Sequence, residues 1–148
     1  MSLLRVLALV AIAAFATATQ LPKGVPTVSF CSVPGAWLQN VTYSVSPNNI
    51  VPGTNLTISV AGMLTHTVTK ATLQLTAAFD GIPIVNKKEN VCKLKSNPFP
   101  CPVSAGPLSY DIHHQIPNLP LSGLVTAKAI LTSQTGAQLV CVKVSVTI

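Results

Sequence analysis

Alternation of apolar and polar residues with a period of two is the feature of this 148-residue chain that most restricts its fold. Successive side chains of a β-strand point to opposite faces, so this alternation is typical of strands with one buried face. After residue 18 we find no helical segment with convincing apolar spacing and caps. The alternation recurs at residues 41–45, 56–60, 71–79, 108–112, 125–131 and 140–148.

Short segments rich in Pro, Gly and Asn separate these predicted strands, as turns require. Residues 80–81 are an Asp-Gly pair, which favours a two-residue hairpin turn. Six or seven strands at this spacing predict an all-β fold, a two-sheet antiparallel sandwich of immunoglobulin-like type.

The first 18 residues have the features of a secretory signal peptide. Arg5 supplies the positive charge, residues 6–15 form an apolar run, and Ala16-Thr17-Ala18 offers a small-x-small cleavage site. Cleavage after Ala16 or Thr19 is the alternative. The apolar run is shorter than the about 20 residues that a membrane span needs. We therefore predict that residues 19–148 form one soluble, monomeric domain.

The four cysteines, Cys31, Cys92, Cys101 and Cys141, all follow the predicted signal peptide. An even number of cysteines in a secreted chain predicts disulfides, and four cysteines allow three pairings. Metal binding is the competing use. Because no CxxC spacing occurs and the histidines lie far from the cysteines in sequence, we predict no metal site and no cofactor.

Asn40 and Asn55 each begin an Asn-x-Thr triplet, so both are candidate glycosylation sites on the same secretory route. Both fall on the polar side of a predicted strand, where a glycan would leave the core undisturbed. We predict a secreted protein, or one in the lumen of a lysosome- or vacuole-like compartment, and the sequence leaves that choice open.

The predicted mature chain is basic, and four of its lysines, Lys87, Lys88, Lys93 and Lys95, crowd into one segment. Nucleic acid is not the expected partner, because no arginine remains and no aromatic residues are interleaved. Transient contact with an anionic membrane surface is the favoured interpretation, and a solvated loop is the alternative.

Catalytic groups are scarce in this chain. Its three acidic residues are spread apart, and no GxSxG, HExxH, P-loop or GxGxxG motif occurs. The one cluster of titratable types is Asp111-Ile112-His113-His114, and adjacent histidines on a strand point to opposite faces. We predict that the protein is not an enzyme.

An ordered set of short motifs spans residues 30–148. Together these motifs resemble the ML lipid-recognition family, whose members include the cholesterol-binding protein of Niemann–Pick type C disease and phosphatidylglycerol/phosphatidylinositol transfer proteins. The motifs are Phe30-Cys31, Val45-Ser46-Pro47, Pro52-Gly53, Phe79-Asp80-Gly81-Ile82-Pro83-Ile84, Cys92, Cys101-Pro102-Val103 and Val140-Cys141-Val142.

The resemblance implies disulfides Cys31–Cys141 and Cys92–Cys101. It also implies a sterol or phospholipid ligand in an apolar cavity between the two sheets. Ala129 and Val142 stand where the cholesterol-binding relative has tryptophans, so cholesterol is not assumed. A solid core is the alternative. The predicted lining residues are Leu73, Leu75, Phe79, Ile82, Val103, Tyr110, Ile112, Ala129, Leu131 and Val142.

By resemblance, the cavity opens near residues 82–84 and 98–100, where prolines keep the apolar tips stiff and unpaired. The lysine-rich segment lies between these tips in sequence. We hypothesise that Lys87, Lys88, Lys93, Lys95 and Phe99 dock the opening on an anionic membrane.

Together these observations predict a secreted or lysosomal lipid-binding and transfer protein that exchanges its ligand with membranes. A lipid-presenting or receptor-binding accessory protein is the first alternative, with a membrane receptor or transporter as its partner. A carbohydrate-binding or adhesive sandwich is the second alternative. It is weaker because Trp37 is the only tryptophan and sugar sites usually expose aromatic rings.

Overall fold

The computed structural model describes residues 22–96, 98–116, 118 and 122–148, so the predicted signal peptide lies outside the described residues. Within the described part of the chain, no helix is long and apolar enough to cross a membrane. The elements are β1 (Thr27–Phe30), β2 (Leu38–Ser46), β3 (Asn55–Leu64), β4 (Thr72–Phe79), β5 (Ile82–Asn90), a short 3-10 turn (Val91–Lys93), β6 (Gly106–Gln115), β7 (Leu124–Thr132) and β8 (Gln138–Thr147).

The strands form two antiparallel sheets, one of five strands in the order β1-β8-β7-β4-β5 and one of three strands in the order β2-β3-β6. The predicted all-β sandwich is therefore confirmed. Each of the six alternating segments forms all or part of one strand. The alternation missed β1 and β5, the two edge strands of the larger sheet.

The turn between β4 and β5 has the geometry that its Asp-Gly pair predicts. Asp80 and Gly81 have φ angles of 46° and 81°, and a type I′ turn requires positive φ at both central positions. The Asp80 carboxylate accepts a hydrogen bond of 2.8 Å from the backbone N–H of Leu124. The turn is thereby fastened to the beginning of β7.

The expectation that residues 82–84 form an unpaired tip is wrong, because these residues begin strand β5. Ile82 lies opposite Phe79, and Pro83 lies opposite Ala78, with an irregularity in register directly after this pair. Proline cannot donate a ladder hydrogen bond, but an edge strand has one side without a partner strand. The edge position of β5 therefore accommodates Pro83.

Buried apolar side chains collect in two separate clusters, one toward each end of the sandwich. We call them the Phe99 cluster and the Ile148 cluster. The Phe99 cluster consists of Leu38, Leu64, Val68, Ala71, Val91, Phe99 and Leu139. The Ile148 cluster consists of Ile50, Leu56, Val146 and Ile148.

Both disulfides that the resemblance implies are present in the structure. Cys31–Cys141 ties the segment after β1 to β8 across 110 positions of sequence, and Cys92–Cys101 spans 9 positions beside the Phe99 cluster. The Sγ atom of Cys92 also accepts a hydrogen bond of 3.1 Å from the backbone N–H of Ala71. The second bridge therefore fixes the loop that closes one end of the sandwich.

Candidate functional site

The register of the five-stranded sheet shows which of its side chains face the other sheet. Leu75, Ala129 and Val142 lie side by side across β4, β7 and β8. Their neighbours two residues along each strand share that face, because strand side chains alternate. This second row consists of Ala77, Ala127 and Val144.

The three-stranded sheet presents two matching rows. Tyr43, Val60 and Tyr110 lie side by side across β2, β3 and β6. The adjacent row is Val45, Ile58 and Ile112. These four rows hold only hydrocarbon and the two phenol groups, whereas edge strand β5 adds the charged Lys87 and Glu89 to the same interior face.

The middle of this interior is more accessible than its two ends. Val68 in the Phe99 cluster has no exposed surface, and Ile148 at the other end is also buried. In contrast, Leu75, Ala129 and Val142 are only half-buried, although they face the opposite sheet. In a solidly packed sandwich the central side chains would be the most buried. The most buried side chains therefore lie toward the two ends, and those of the middle rows are less buried.

The two sides of the sandwich also differ. Between the edges of β1 and β2, the rings of Phe30 and Tyr43 meet edge to face with centroids 5.8 Å apart, which covers that side. On the side of β5 and β6, the apolar side chains of Ile82 and Ile84 are 67% and 55% exposed, compared with 42% for Phe30 and 43% for Tyr43. The space between β5 and β6 is therefore the candidate mouth of the interior.

The predicted lining residues divide between the accessible middle, the two ends and the edge. Leu75, Tyr110, Ile112, Ala129 and Val142 belong to the middle rows described above. The residues packed against an end cluster are Leu73, Val103 and Leu131 at the Phe99 cluster and Phe79 at the Ile148 cluster. Ile82 is exposed at the edge of β5.

Val60, Ile58 and Val144 face the same space and were absent from the predicted lining. Each lies on the apolar side of an alternating segment, so the period-two pattern contains the signal that identifies them. Tyr43, Val45, Ala77 and Ala127 were also absent from the predicted lining, and the small side chains of the two alanines leave room in the middle of the larger sheet.

Phe99 does not lie where the docking hypothesis needs it. Its side chain is only 5% exposed, and its ring meets that of Tyr110 edge to face at 5.3 Å. Strand β5 separates residues 98–100 from residues 82–84, so the two expected tips lie toward opposite ends of the sandwich. This burial removes Phe99 from any membrane-docking surface.

Tyr110 joins the accessible middle to the Phe99 cluster. It faces the interior on β6 and also packs against that cluster. Burial raises the pKa of its phenol above the ordinary value, because the phenolate loses hydration there. The phenol therefore ionises only at a pH above that of an ordinary tyrosine.

The four clustered lysines are all exposed but point in different directions. Lys87 lies opposite Leu75, on the face of β5 that looks toward the interior, whereas Lys88 lies opposite Gln74 on the outer face. Lys93 and Lys95 follow beyond the end of β5. Lys87 is therefore the lysine placed at the candidate mouth.

The remaining candidate residues lie on the surface. Asn40 and Asn55 are both exposed, on β2 and β3. The ring of Trp37 is stacked on that of His66 with centroids 4.4 Å apart. One face of the indole ring, on which a sugar could stack, is therefore covered. Among the described residues, no three His, Cys, Asp or Glu side chains come together as a metal site.

Comparison with known proteins identifies similarity along most of the chain. The family model of the ML domain matches residues 26–148. The putative phosphatidylglycerol/phosphatidylinositol transfer protein 2 of Dictyostelium discoideum is 30% identical over 105 residues, covering 71% of this chain and 74% of that protein. Putative transfer protein 3 of the same organism is 32% identical over 121 residues, covering 81% and 79%.

Two solved structures share the fold at low sequence identity. Chicken MD-1 complexed with lipid IVa aligns with a TM-score of 0.64 at 18% identity, covering 82% of this chain and 88% of that one. A Niemann–Pick type C2 protein from the Japanese carpenter ant aligns with a TM-score of 0.59 at 14% identity, covering 82% and 98%. The two-sheet sandwich is thus common to all three chains.

Proposed function

This chain belongs to the ML domain family, and from that premise we propose that it carries one anionic glycerophospholipid between its sheets and exchanges it with membranes. Proteins of this family bind or transfer lipids without catalysing a reaction, so the chain is a lipid-binding protein and not an enzyme. The observation that carries the proposal is the half-buried, apolar middle of the sandwich between two buried ends.

The shape and chemistry of that space suit acyl chains. Ala77 lies beside Ala127 in the larger sheet, so two neighbouring strands contribute only a methyl group each at the centre. An apolar space of this kind holds hydrocarbon more favourably than water. Each methylene group that enters it contributes about 0.8 kcal/mol, so one acyl chain outweighs the cost of association.

Lys87 at the mouth favours an anionic headgroup, since it is more exposed than Glu89, the acidic residue on the same face of β5. Lys87 stands on the interior face of β5 with its side chain exposed, opposite Leu75 of the lining. An ammonium group there can pair with a lipid phosphate while the acyl chains lie between the sheets. The Dictyostelium relatives carry names that refer to phosphatidylglycerol and phosphatidylinositol, both anionic phospholipids, which supports the same ligand class.

The edge of the sandwich formed by β5 also suits docking on a membrane. If β5 lies along the membrane surface, the exposed Ile82 and Ile84 reach the lipid boundary and the mouth faces the bilayer. Lys87 and Lys88 then approach the headgroups, with Lys93 and Lys95 beyond them, and each contributes about 1 kcal/mol on an anionic surface. Lipid can pass between β5 and β6 without crossing water.

The two disulfides support a place of action in the secretory route, because such bonds persist in oxidising compartments. We propose that the protein acts outside the cell or within a lysosome-like lumen. Candidate glycans on Asn40 and Asn55 would lie on the smaller sheet, away from the proposed docking edge on β5.

Two adjacent alanines of β4 provide the test. Ala77 faces the interior and Ala78 faces outward, so Ala77→Leu fills the proposed cavity whereas Ala78→Leu adds the same side chain outside it. We expect Ala77→Leu to reduce bound phospholipid about tenfold in native mass spectrometry of the purified protein and to slow transfer between vesicles equally. Ala78→Leu should stay near the wild-type value.

Thermal unfolding separates a cavity from a solid core. In a filled core, the extra atoms of Ala77→Leu would cost about 1–3 kcal/mol through overpacking. In an accessible interior the new side chain buries apolar surface, and stability is kept. Ala77→Leu protein that is destabilised, or that retains full lipid loading, contradicts the proposed site.

A further inference from the structure

The outer face of the five-stranded sheet carries a pair of lysines that the proposed lipid carriage does not use. Lys128 of β7 and Lys143 of β8 are directly opposite each other, and both are exposed. Like charges at opposing positions of a strand pair repel each other and lower stability. Lys88 of β5 adds a third positive charge to the same face, in the next row along the strands.

The negative charges of the chain lie elsewhere. Its three acidic residues are Asp80 at the β4–β5 turn, Glu89 on the interior face of β5, and Asp111 on the smaller sheet. Among the described residues, the charged side chains on the outer face of the larger sheet are therefore all positive, and no carboxylate on that face offsets the Lys128–Lys143 repulsion.

The same face is concave. A concavity of about 560 Å³ lies across the middle of the sheet. Small side chains, such as those of Ala78, Thr126 and Ser145, leave this depression above the backbone. Lys128 and Lys143 border it. A flat bilayer would bridge such a concavity rather than fill it, whereas a convex protein surface fits it.

The positions of the candidate glycosylation sites also favour a partner protein on the outer face of the larger sheet. Both Asn-x-Thr triplets lie in the smaller sheet, at Asn40 on β2 and Asn55 on β3. The outer face of the larger sheet carries neither, so glycans at both positions would leave it uncovered.

We propose that the outer face of the five-stranded sheet is a docking surface for a convex, acidic patch of a partner protein, with Lys128 and Lys143 as its central contacts. Complementary charges steer encounter and fix register at interfaces. Carboxylates of the partner would also remove the repulsion between the two lysines. The docking surface faces away from the lipid, so a partner can bind the loaded carrier.

Two charge-matched double variants of the lipid-loaded mature protein test this surface. Lys128→Gln/Lys143→Gln removes two charges from the docking surface, and Lys93→Gln/Lys95→Gln removes two from the segment after β5. The probe is immobilised poly-L-glutamate, at about 50 mM salt to limit screening. We expect the first variant to bind about fivefold more weakly or worse, and the second to change by less than about twofold.

Vesicles of phosphatidylcholine and phosphatidylglycerol provide the opposing measurement. Lys93→Gln/Lys95→Gln should weaken vesicle binding, whereas Lys128→Gln/Lys143→Gln should leave it near wild type. Equal losses of poly-L-glutamate binding in both variants would mean that binding depends only on the net charge of the protein. That result would overturn the proposal. Loss of vesicle binding alone in the first variant would also overturn it, since the face would then contact lipid.

Lipid loading keeps this test independent of the proposed carrier function. Native mass spectrometry should find the same bound lipid in Lys128→Gln/Lys143→Gln as in the wild type, because both residues point away from the interior. The thermal midpoint of the variant should be equal or higher, since its like-charge pair is gone. A lower midpoint would contradict the inferred repulsion.

Discussion

Phe99 and Tyr110 are neighbouring aromatic residues with different roles in the interior. Phe99 belongs to the buried cluster at one end, whereas Tyr110 extends from that cluster into the accessible middle. Their edge-to-face contact at 5.3 Å is where the closed end meets the proposed cavity. The resemblance placed Phe99 at the cavity opening, and a proline-flanked phenylalanine in a loop has no periodicity that indicates its burial.

The burial of Phe99 leads to a prediction about stability and membrane binding. Phe99→Ala should lower the free energy of unfolding by about 3–5 kcal/mol, as large-to-small changes in a core do. Binding of the folded variant to anionic vesicles should be unchanged. Ile82→Ala is the matched control, because it removes an exposed apolar side chain at the proposed docking edge.

Urea unfolding and vesicle sedimentation measure the two effects. Ile82→Ala should retain its stability and lose vesicle binding, the reverse of Phe99→Ala. If Phe99→Ala instead keeps its stability and binds vesicles poorly, the buried position of Phe99 is contradicted.

The raised pKa of Tyr110 predicts a specific pH dependence of stability. Below about pH 10 the phenol is neutral in both the folded and unfolded chain, so it does not change stability with pH. Above that pH the unfolded chain loses the proton more readily, and the free energy of unfolding falls until the folded pKa is passed. Tyr110→Phe should therefore flatten the alkaline decline.

Urea titrations at several pH values between about 8 and 11 measure this slope. An identical alkaline slope in Tyr110→Phe and the wild type would count against the burial of this phenol.

At the level of elements, alternation predicted both edge strands of the smaller sheet, β2 and β6, but missed those of the larger sheet, β1 and β5. β1 has four residues, too few for a period to be recognised. β5 contains Pro83 and several consecutive polar residues, and an irregularity in register follows Pro83. Neither segment therefore shows the regular alternation on which the prediction rests.

Two adjacent lysines of β5 lead to a prediction about the choice of lipid headgroup. Lys87 faces the interior and Lys88 faces outward, so the two Lys→Gln changes remove equal charge from opposite faces. We expect Lys87→Gln to reduce the preference for anionic over zwitterionic phospholipid about fivefold, which corresponds to about 1 kcal/mol for one lysine.

Native mass spectrometry after loading from mixed vesicles measures that preference directly. Lys88→Gln should bind the two lipid classes in the wild-type ratio. Equal shifts in both variants would mean that general charge, and not a lysine at the mouth, selects the headgroup.

At the level of the whole molecule, the sequence predicted the two facing apolar layers but not how their ends are closed. The buried clusters draw on loop residues such as Val68, Val91 and Ile50, which belong to no alternating segment. Whether facing apolar layers touch or stay apart depends on these end clusters and on the central alanines. A one-dimensional pattern reports which face is apolar, whereas the distance between two faces depends on contacts distant in sequence.

The two disulfides should contribute unequally to the whole fold. In the chain-entropy relation, a bridge between residues 110 positions apart contributes about 4.7 kcal/mol, and one between residues 9 apart about 2.6 kcal/mol. Cys31→Ala/Cys141→Ala should therefore lower the free energy of unfolding by about 2 kcal/mol more than Cys92→Ala/Cys101→Ala does. Urea unfolding without reductant gives both values.

The long-range bridge should also affect lipid retention, because it adjoins β1, a four-residue strand paired only with β8. Without Cys31–Cys141, β1 has less to hold it, and the Phe30–Tyr43 contact that covers one side of the interior weakens. Bound lipid should then dissociate faster from Cys31→Ala/Cys141→Ala than from Cys92→Ala/Cys101→Ala, even under conditions where both remain folded. Equal dissociation rates would mean that β1 does not seal the interior and that lipid leaves only between β5 and β6.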